Sequence, residues 1–373
     1  MQPRPLIIDL GTYTTKVGFS PQDFSQQALP QLMVPTLVGQ TKLLPGRLSD
    51  VNAASGQQYF GFEALRRSSV LSLKYPMEHG IVMDWDEIGE LLNYCVRDCM
   101  KCDFESLTSG IMLTESPLNP KRHKELMTQT LFESFNVPKM QISMNALNAL
   151  YSEALQSGLV LECGEGLTSC VPIVDGYVLH QSVQRLDLGG RDVNEHLMEL
   201  LKHKVVFSST FEREFVRDIK EQCCFVRECA GDGVVSEKKR YQLPDGRIID
   251  LSQELHEAPE VLFNSTILGR DEGQNVQNLV VDALASCEVD CRKVLSQNLI
   301  VCGGGSMFRG FSERLASELA GKATPLKEKP YRRYMSWIGA AVLASLSSFE
   351  AKWITKGEYQ EYGSAIIHKK ALY

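Results

Sequence analysis

Apolar positions in this chain fall into short blocks separated by glycine- and hydroxyl-rich turns, and one arrangement occurs twice. Near the start, Leu6-Ile7-Ile8-Asp9-Leu10 runs into Gly11-Thr12-Tyr13-Thr14-Thr15-Lys16. In mid-chain, Gly158-Leu159-Val160-Leu161-Glu162-Cys163 runs into Gly164-Glu165-Gly166-Leu167-Thr168. A short apolar run bounded by turn residues predicts a buried strand. Each copy therefore reads as a strand, a carboxylate, a glycine turn with hydroxyls, and a second strand.

The rest of the pattern alternates strands with helices. Residues 6–40 read as strands and turns, and 41–58 as an exposed, mobile loop rich in Gly, Ser, Asn and Asp. Helical spacing predicts a helix over 85–101, with Ile88, Leu91, Leu92, Cys95 and Val96 on one side. Residues 111–115 read as a buried strand and 120–135 as a helix that ends before Val137-Pro138. Helices are expected over 193–203 and 210–224, and a hairpin over 241–249 around Pro244-Asp245-Gly246. Leu299-Ile300-Val301 enters Cys302-Gly303-Gly304-Gly305-Ser306, and a helix follows to about Leu319, a third candidate ligand surface. Residues 337–349 read as an apolar helix and 353–359 as a short amphipathic one. Strands alternating with helices predict an α/β fold, and the repeated turn predicts two similar halves with a cleft between them.

The repeated turns carry the first chemical suggestion. Glycine lets backbone N–H groups approach a ligand closely, and successive N–H groups in a turn form an anion-binding concavity. Two facing turns would grip a polyphosphate, with the carboxylates Asp9 and Glu162 holding its Mg²⁺ through water. Composition narrows the rest. At 373 residues the chain is long enough for two or three domains. A net charge of −7 argues against nucleic-acid binding as the main role. Met1-Gln2-Pro3-Arg4-Pro5 leads straight into a strand, which predicts no secretory signal, and no apolar run reaches the ~18 residues of a membrane span. Eleven cysteines then read as reduced thiols, and Cys95, Cys99 and Cys102, on one helix face with no second Cys/His pair nearby, make a poor zinc site.

Several ordered stretches resemble actin and the actin-related proteins over essentially the whole length. They are Leu73-Lys74-Tyr75-Pro76-Met77-Glu78-His79-Gly80-Ile81-Val82, Leu118-Asn119-Pro120, Arg185-Leu186-Asp187-Leu188-Gly189-Gly190-Arg191-Asp192, Val216-Arg217-Asp218-Ile219-Lys220-Glu221, Leu243-Pro244-Asp245-Gly246, Ser336-Trp337-Ile338-Gly339 and Trp353-Ile354-Thr355-Lys356. The resemblance implies an actin-like ATPase fold, two ribonuclease-H-like halves around a cleft for ATP or ADP with Mg²⁺, or Ca²⁺ in its place. It implies four subdomains: 1–34 with 76–152 and 335–373; 35–75; 153–188 with 271–334; and 189–270. Lys16 would reach the phosphates beside Gly11, Thr12 and Tyr13, facing Gly164, Glu165, Gly166 and Thr168 of the second turn. Gly190, Arg217, Lys220, Glu221, Gly303, Gly304, Phe308 and Arg333 match positions that line the nucleoside pocket.

The departures from actin carry equal weight. Glu162 stands where actin has aspartate, Ser169 where it has histidine, Asn145 where it has a water-positioning glutamine, and Glu165 where it has aspartate. Phosphoryl transfer depends on positioning, and a misplacement of about 1 Å can cost roughly 10²-fold. Nucleotide binding with slow or absent hydrolysis is the expectation. The 41–58 loop is unlike actin's, and Leu268-Gly269-Arg270-Asp271-Glu272-Gly273 puts charge where actin has an apolar plug. In the cleft that receives partner helices Tyr151, Leu343 and Leu346 match, while Lys352 replaces an apolar residue.

The first reading is thus an actin-related protein acting as an interaction subunit of a cytoplasmic, cytoskeletal assembly, with a nuclear assembly as the alternative. The partners would be other actin-like subunits or assembly proteins. A filament-forming divergent actin with ATPase activity is the second reading, and a sugar kinase or chaperone ATPase on the same core the third.

Overall fold

The computed structural model describes residues 4–23, 28–41, 58–205, 207, 212–228, 238–243 and 246–370. The chain divides into two compact units, Met1–Leu155 with Tyr334–Tyr373, and Gln156–Arg333. Most of the 41–58 loop, the Pro244-Asp245 turn and the tail 371–373 lie outside the described residues.

The first unit is built on a six-stranded sheet. Its order is Ile354–Thr355, Lys139–Met144, Ile111–Glu115, Leu6–Leu10, Thr14–Phe19 and Leu32–Pro35. Leu6–Leu10 runs parallel to Ile111–Glu115, which runs parallel to Lys139–Met144, and both flanks are antiparallel. Leu6–Leu10 is buried at every position, as a strand covered on both faces should be, and apolar except for Asp9. A smaller sheet, with Val38–Thr41 between Gln58–Phe60 and Leu71–Lys74, has its own core of Leu37, Ala64, Leu71 and Leu73.

The second unit repeats the central device. Gly158–Cys163 pairs antiparallel with Thr168–Val174 and parallel with Leu299–Cys302, as Leu6–Leu10 pairs with its hairpin partner and with Ile111–Glu115. Tyr177–Val178 and Gln184–Leu186 extend Thr168–Val174. The helices Gly190–Leu201, Glu212–Cys223, Val276–Ser286 and Phe311–Leu319 supply a core that includes Leu197, Ile219, Val280 and Phe311.

Several elements differ from the sequence pattern. The helix expected over 85–101 is α-helical only through Trp85–Asn93 and closes with a wider π turn, Tyr94–Cys99, in which Met100 N–H reaches the Cys95 carbonyl at 3.0 Å. That turn keeps Cys95 and Val96 in the core. The helix expected over 120–135 ends the same way, as Lys121–Gln129 followed by Thr130–Ser134. The helix expected to begin at the third glycine loop starts late. Gly304–Ser306 is a single 3₁₀ turn, and the helix spans Phe311–Leu319 after Gly310, whose φ is 84°. A β-carbon at Gly310 would lie 2.2 Å from the Val226 carbonyl oxygen, so backbone packing there sets the start of the helix. Residues 353–359 divide into a sheet-edge strand, Ile354–Thr355, and the helix Lys356–Tyr362. Thr355 and Glu358 cap that helix reciprocally, a Thr-x-x-Glu signal present in the sequence.

The helix Asn145–Ser152 packs against Met335–Ser345. A β-carbon on Gly339 would lie 1.7 Å from the Asn148 carbonyl oxygen. Gly339→Ala gains about 1 kcal/mol of helix propensity, but backbone cannot yield as a side chain would, and overpacking costs ~1–3 kcal/mol or more. The clash should win, with a net loss of roughly 2 kcal/mol in urea unfolding; a stabilised variant would contradict this packing.

Candidate functional site

The first turn is wired by hydroxyls. Asp9 and Lys16 are register partners across the Leu6–Leu10/Thr14–Phe19 hairpin, and their side chains form an ion pair. The Asp9 carboxylate, 3% exposed, also accepts 2.6 Å from Thr114 Oγ1 on the neighbouring parallel strand. A carboxylate has about four lone-pair sites, so this one still has room for a water donor. Thr36 braces the turn from behind: its Oγ1 donates to the Gly11 carbonyl at 2.8 Å and its N–H to the Tyr13 carbonyl at 2.6 Å. Thr12 Oγ1 accepts from Gly80 N–H at 2.9 Å, and Asn119 Nδ2 donates to the Gly80 carbonyl at 3.2 Å. Beside these contacts, His79 and Leu118 hold left-handed φ angles of 47° and 58°. Strain of this kind clusters at ligand sites.

Next to this turn is a cavity of about 40 Å³, lined by Trp85, Thr114, Glu115, Asn119, His123 and Lys124 among others. That is room for water. His123 Nδ1 is buried with no hydrogen-bond partner among the described residues. Glu115 pairs with Lys124 at 2.8 Å. Burial raises the Glu115 carboxyl to about 7, an effect that the Lys124 charge only partly opposes.

In the second unit two backbone loops, at Gly189–Gly190 and Gly303–Gly305, converge on Cys163–Glu165. A β-carbon at Gly303 would lie 2.3 Å from the Cys163 carbonyl oxygen, and one at Gly305 2.6 Å from Cys163 Sγ. One at Gly189 would lie 2.7 Å from the Glu165 carbonyl oxygen. Gly190 N–H donates to the Gly164 carbonyl at 3.0 Å and Arg191 N–H to the Glu165 carbonyl at 2.8 Å. Above Gly304 there is open space. Only glycine backbone allows this approach.

An ionic cluster lies on one side of the cradle. The Glu165 carboxylate accepts from Arg217 Nη2 at 2.9 Å, Lys220 Nζ at 3.0 Å and Asn194 Nδ2 at 3.2 Å. Lys220 also donates to the Gly190 carbonyl at 3.0 Å, and Arg217 Nη1 forks onto Glu214. Burial acts to raise the Glu165 carboxyl, but the Lys220 and Arg217 charges and hydrogen bonds outweigh it and bring it down to about 2. Asn194 Oδ1 and Ser169 Oγ are among the buried polar atoms with no hydrogen-bond partner among the described residues. Buried polar atoms without partners are uncommon in folded proteins, and a bound ligand or water would account for them.

The residues that the resemblance implied therefore fall into groups. Asp9, Gly11, Thr12, Tyr13 and Lys16 form the first turn. Gly164, Glu165, Gly190, Arg217, Lys220 and Gly303 meet at the second, with Phe308 buried and Gly304 open to solvent. Glu162 and Ser169 are register partners on adjacent strands. The Thr168 hydroxyl points into the fold and donates to the Leu188 carbonyl at 2.7 Å. Glu221 lies on the exposed face of its helix and Arg333 is exposed. Asn145, 6% exposed, accepts 3.1 Å from Ser336 Oγ through its amide oxygen. Sequence reasoning passed over Thr114, Asn194 and Arg332. The last of these is buried, donates to the Ser306 carbonyl, and receives Gly303 N–H on its own carbonyl at 3.2 Å. Its neighbour Arg333 was the position that the resemblance implied, and only packing distinguishes the two.

The Glu115 carboxyl yields a pH prediction. Its folded value lies above the ordinary carboxyl value of 4.5, so the folded state holds the proton more tightly than the unfolded chain. The stability this provides is complete below about pH 4.5 and is lost as pH rises through about 7. The loss amounts to roughly 3 kcal/mol. In chemical denaturation, the stability of the natural chain relative to Glu115→Gln should fall across that window and level off above it. A constant difference from pH 5 to 8 would contradict the assignment.

A family model described as Actin matches residues 2–372, and on that match, with the paired hairpins and glycine loops that the two units display, the chain belongs to the actin family.

Proposed function

We propose that this actin-family protein binds ATP or ADP with Mg²⁺ and works as a structural or interaction subunit of a cytoskeletal assembly, hydrolysing its nucleotide slowly or not at all. The observation that carries the reading is the glycine cradle of the second unit, with open space at Gly304 and the Glu165–Arg217–Lys220 cluster beside it. Two negative and two positive side chains, Glu165, Glu214, Arg217 and Lys220, nearly cancel there. Such a surface suits the uncharged nucleoside rather than the phosphates.

The phosphates belong with the first turn. Its backbone N–H groups and the Lys16 ammonium supply positive potential, and Lys16 already stands over Asp9. Among the described residues no group of three or more His, Cys, Asp or Glu is placed to hold a metal ion. A Mg²⁺ ion usually keeps most of its water and leans on one or two carboxylates, a role that Asp9 could serve beside the first turn. When bound, the ion neutralises phosphate charge and orients the chain of oxygens.

Two features favour slow turnover. The Asn145 amide oxygen is engaged by Ser336, and the Ser169 hydroxyl is fully buried on its strand. The Asn145 oxygen is therefore already committed, and the short Ser169 side chain lacks the reach of the histidine that the resemblance places there. No helix among the described residues is long and apolar enough to cross a membrane. For partner contacts, Tyr151 and Leu343 are half-buried and Leu346 is 49% exposed at the end of the Met335–Ser345 helix.

Titration of the purified chain with a fluorescent ATP analogue and Mg²⁺ should show saturable binding. Lys16→Ala should weaken it about tenfold or more, as expected for loss of a charged contact. Phosphate release from the saturated protein should stay far below that of actin run in parallel. Absence of binding overturns the nucleotide reading, and actin-like turnover overturns the slow-hydrolysis part alone.

A further inference from the structure

The loop that replaces an apolar plug with charge is fastened to the glycine cradle. It leaves the 3₁₀ turn Ser265–Leu268 through Gly269, at φ 69°, and presents Arg270. Arg270 Nη2 binds Asp192 Oδ1 at 2.6 Å and Arg270 Nη1 binds the Asp187 carbonyl at 2.7 Å. The other oxygen of the same carboxylate, Asp192 Oδ2, accepts Gly189 N–H at 2.8 Å. Gly189 and Gly190 then pass over Gly164 and Glu165, where a single added carbon would collide. One carboxylate, 12% exposed, thus connects an exposed loop to the backbone that shapes the candidate nucleoside pocket.

We infer that Arg270 is a positioning residue for the Gly189–Gly190 turn, acting through Asp192, and that it couples the 268–273 loop to nucleotide affinity. The guanidinium fork suits the role, because its two ends hold a side-chain carboxylate and a main-chain carbonyl on the same approach to the turn. Without it, Asp192 keeps its hydrogen bond to Gly189 but loses the partner that fixes its rotamer. The chain entering the turn at Asp187 is released at the same time. The loop is otherwise open to solvent, with Ile267, Asp271 and Glu272 exposed. Whatever binds those residues would act on the pocket, and by linkage the nucleotide would act on the loop.

This rests on the nucleotide reading above, so the test has two arms. The first measures Mg-ADP affinity by calorimetry for the full chain, Arg270→Ala, Asp192→Asn and the double variant. Asparagine retains an oxygen to accept from Gly189. Arg270→Ala should weaken binding about fivefold or more, and in the Asp192→Asn background its effect should be clearly smaller, reduced to loss of the Asp187 carbonyl contact. The second arm follows amide hydrogen exchange without nucleotide. Arg270→Ala should speed exchange at Gly189, Gly190 and Arg191, and Arg270→Lys, which keeps a donor toward Asp192, should restore much of the protection. Unchanged exchange and affinity in Arg270→Ala, or effects that simply add in the double variant, would overturn the inference. If the natural chain binds no nucleotide, the functional reading fails, while the exchange arm still decides whether Arg270 positions the turn.

Discussion

Three stretches of backbone in the second unit come within one carbon atom of collision around Cys163–Glu165, and the rest of the candidate site follows from that closeness. Gly189, Gly303 and Gly305 each occupy a place where a β-carbon would fall 2.3 to 2.7 Å from main-chain or sulfur atoms. No adjustment of a flexible side chain relieves contact with a carbonyl. The reward is a surface of main-chain groups held without side chains in the way. Arg332, Lys220, Asp192 and Thr168 hold the loops from outside by binding their carbonyls and amides.

The two units use one device for different electrostatic ends. In the first, a single carboxylate and a single ammonium face each other across a hairpin, braced by Thr114 and Thr36, with acceptor capacity left over. That is a grip suited to exchanging partners. In the second, the acid on the turn is heavily engaged: Glu165 takes three donors and is held far below the ordinary carboxylate range. Such a cluster is rigid, because removing either cation leaves a half-buried charge uncompensated. The first turn thus keeps acceptor capacity, while the second is a nearly neutral surface held by paired charges.

Much of the fold was legible from local pattern. The strand Ile111–Glu115 and both hairpins stand where apolar runs and turn residues put them. Helix ends were less legible, because the π turns after Asn93 and Gln129 respond to core residues such as Cys95, Val96, Leu131 and Phe132 and not to any capping signal. The late start of the Phe311–Leu319 helix likewise answers to the Val226 backbone, remote in sequence. At the site, glycines and charged residues were visible as motifs, but motifs do not rank neighbours. Glu221, in a matching stretch, and Arg333, a matching position, are exposed, while Asn194 and Arg332 lie inside.

The sequence by itself determined the repeated strand–carboxylate–glycine turn, the α/β alternation and the family, since each depends on residue type at short spacing. Tertiary structure decided which donors each carboxylate receives, where the helices begin and end, and that Arg270 reaches Asp192 from 78 positions away. The physical reason is the same in each case. Hydrogen-bond partners and steric limits are set by atoms brought together only when the chain has folded, and spacing along the chain carries no record of them.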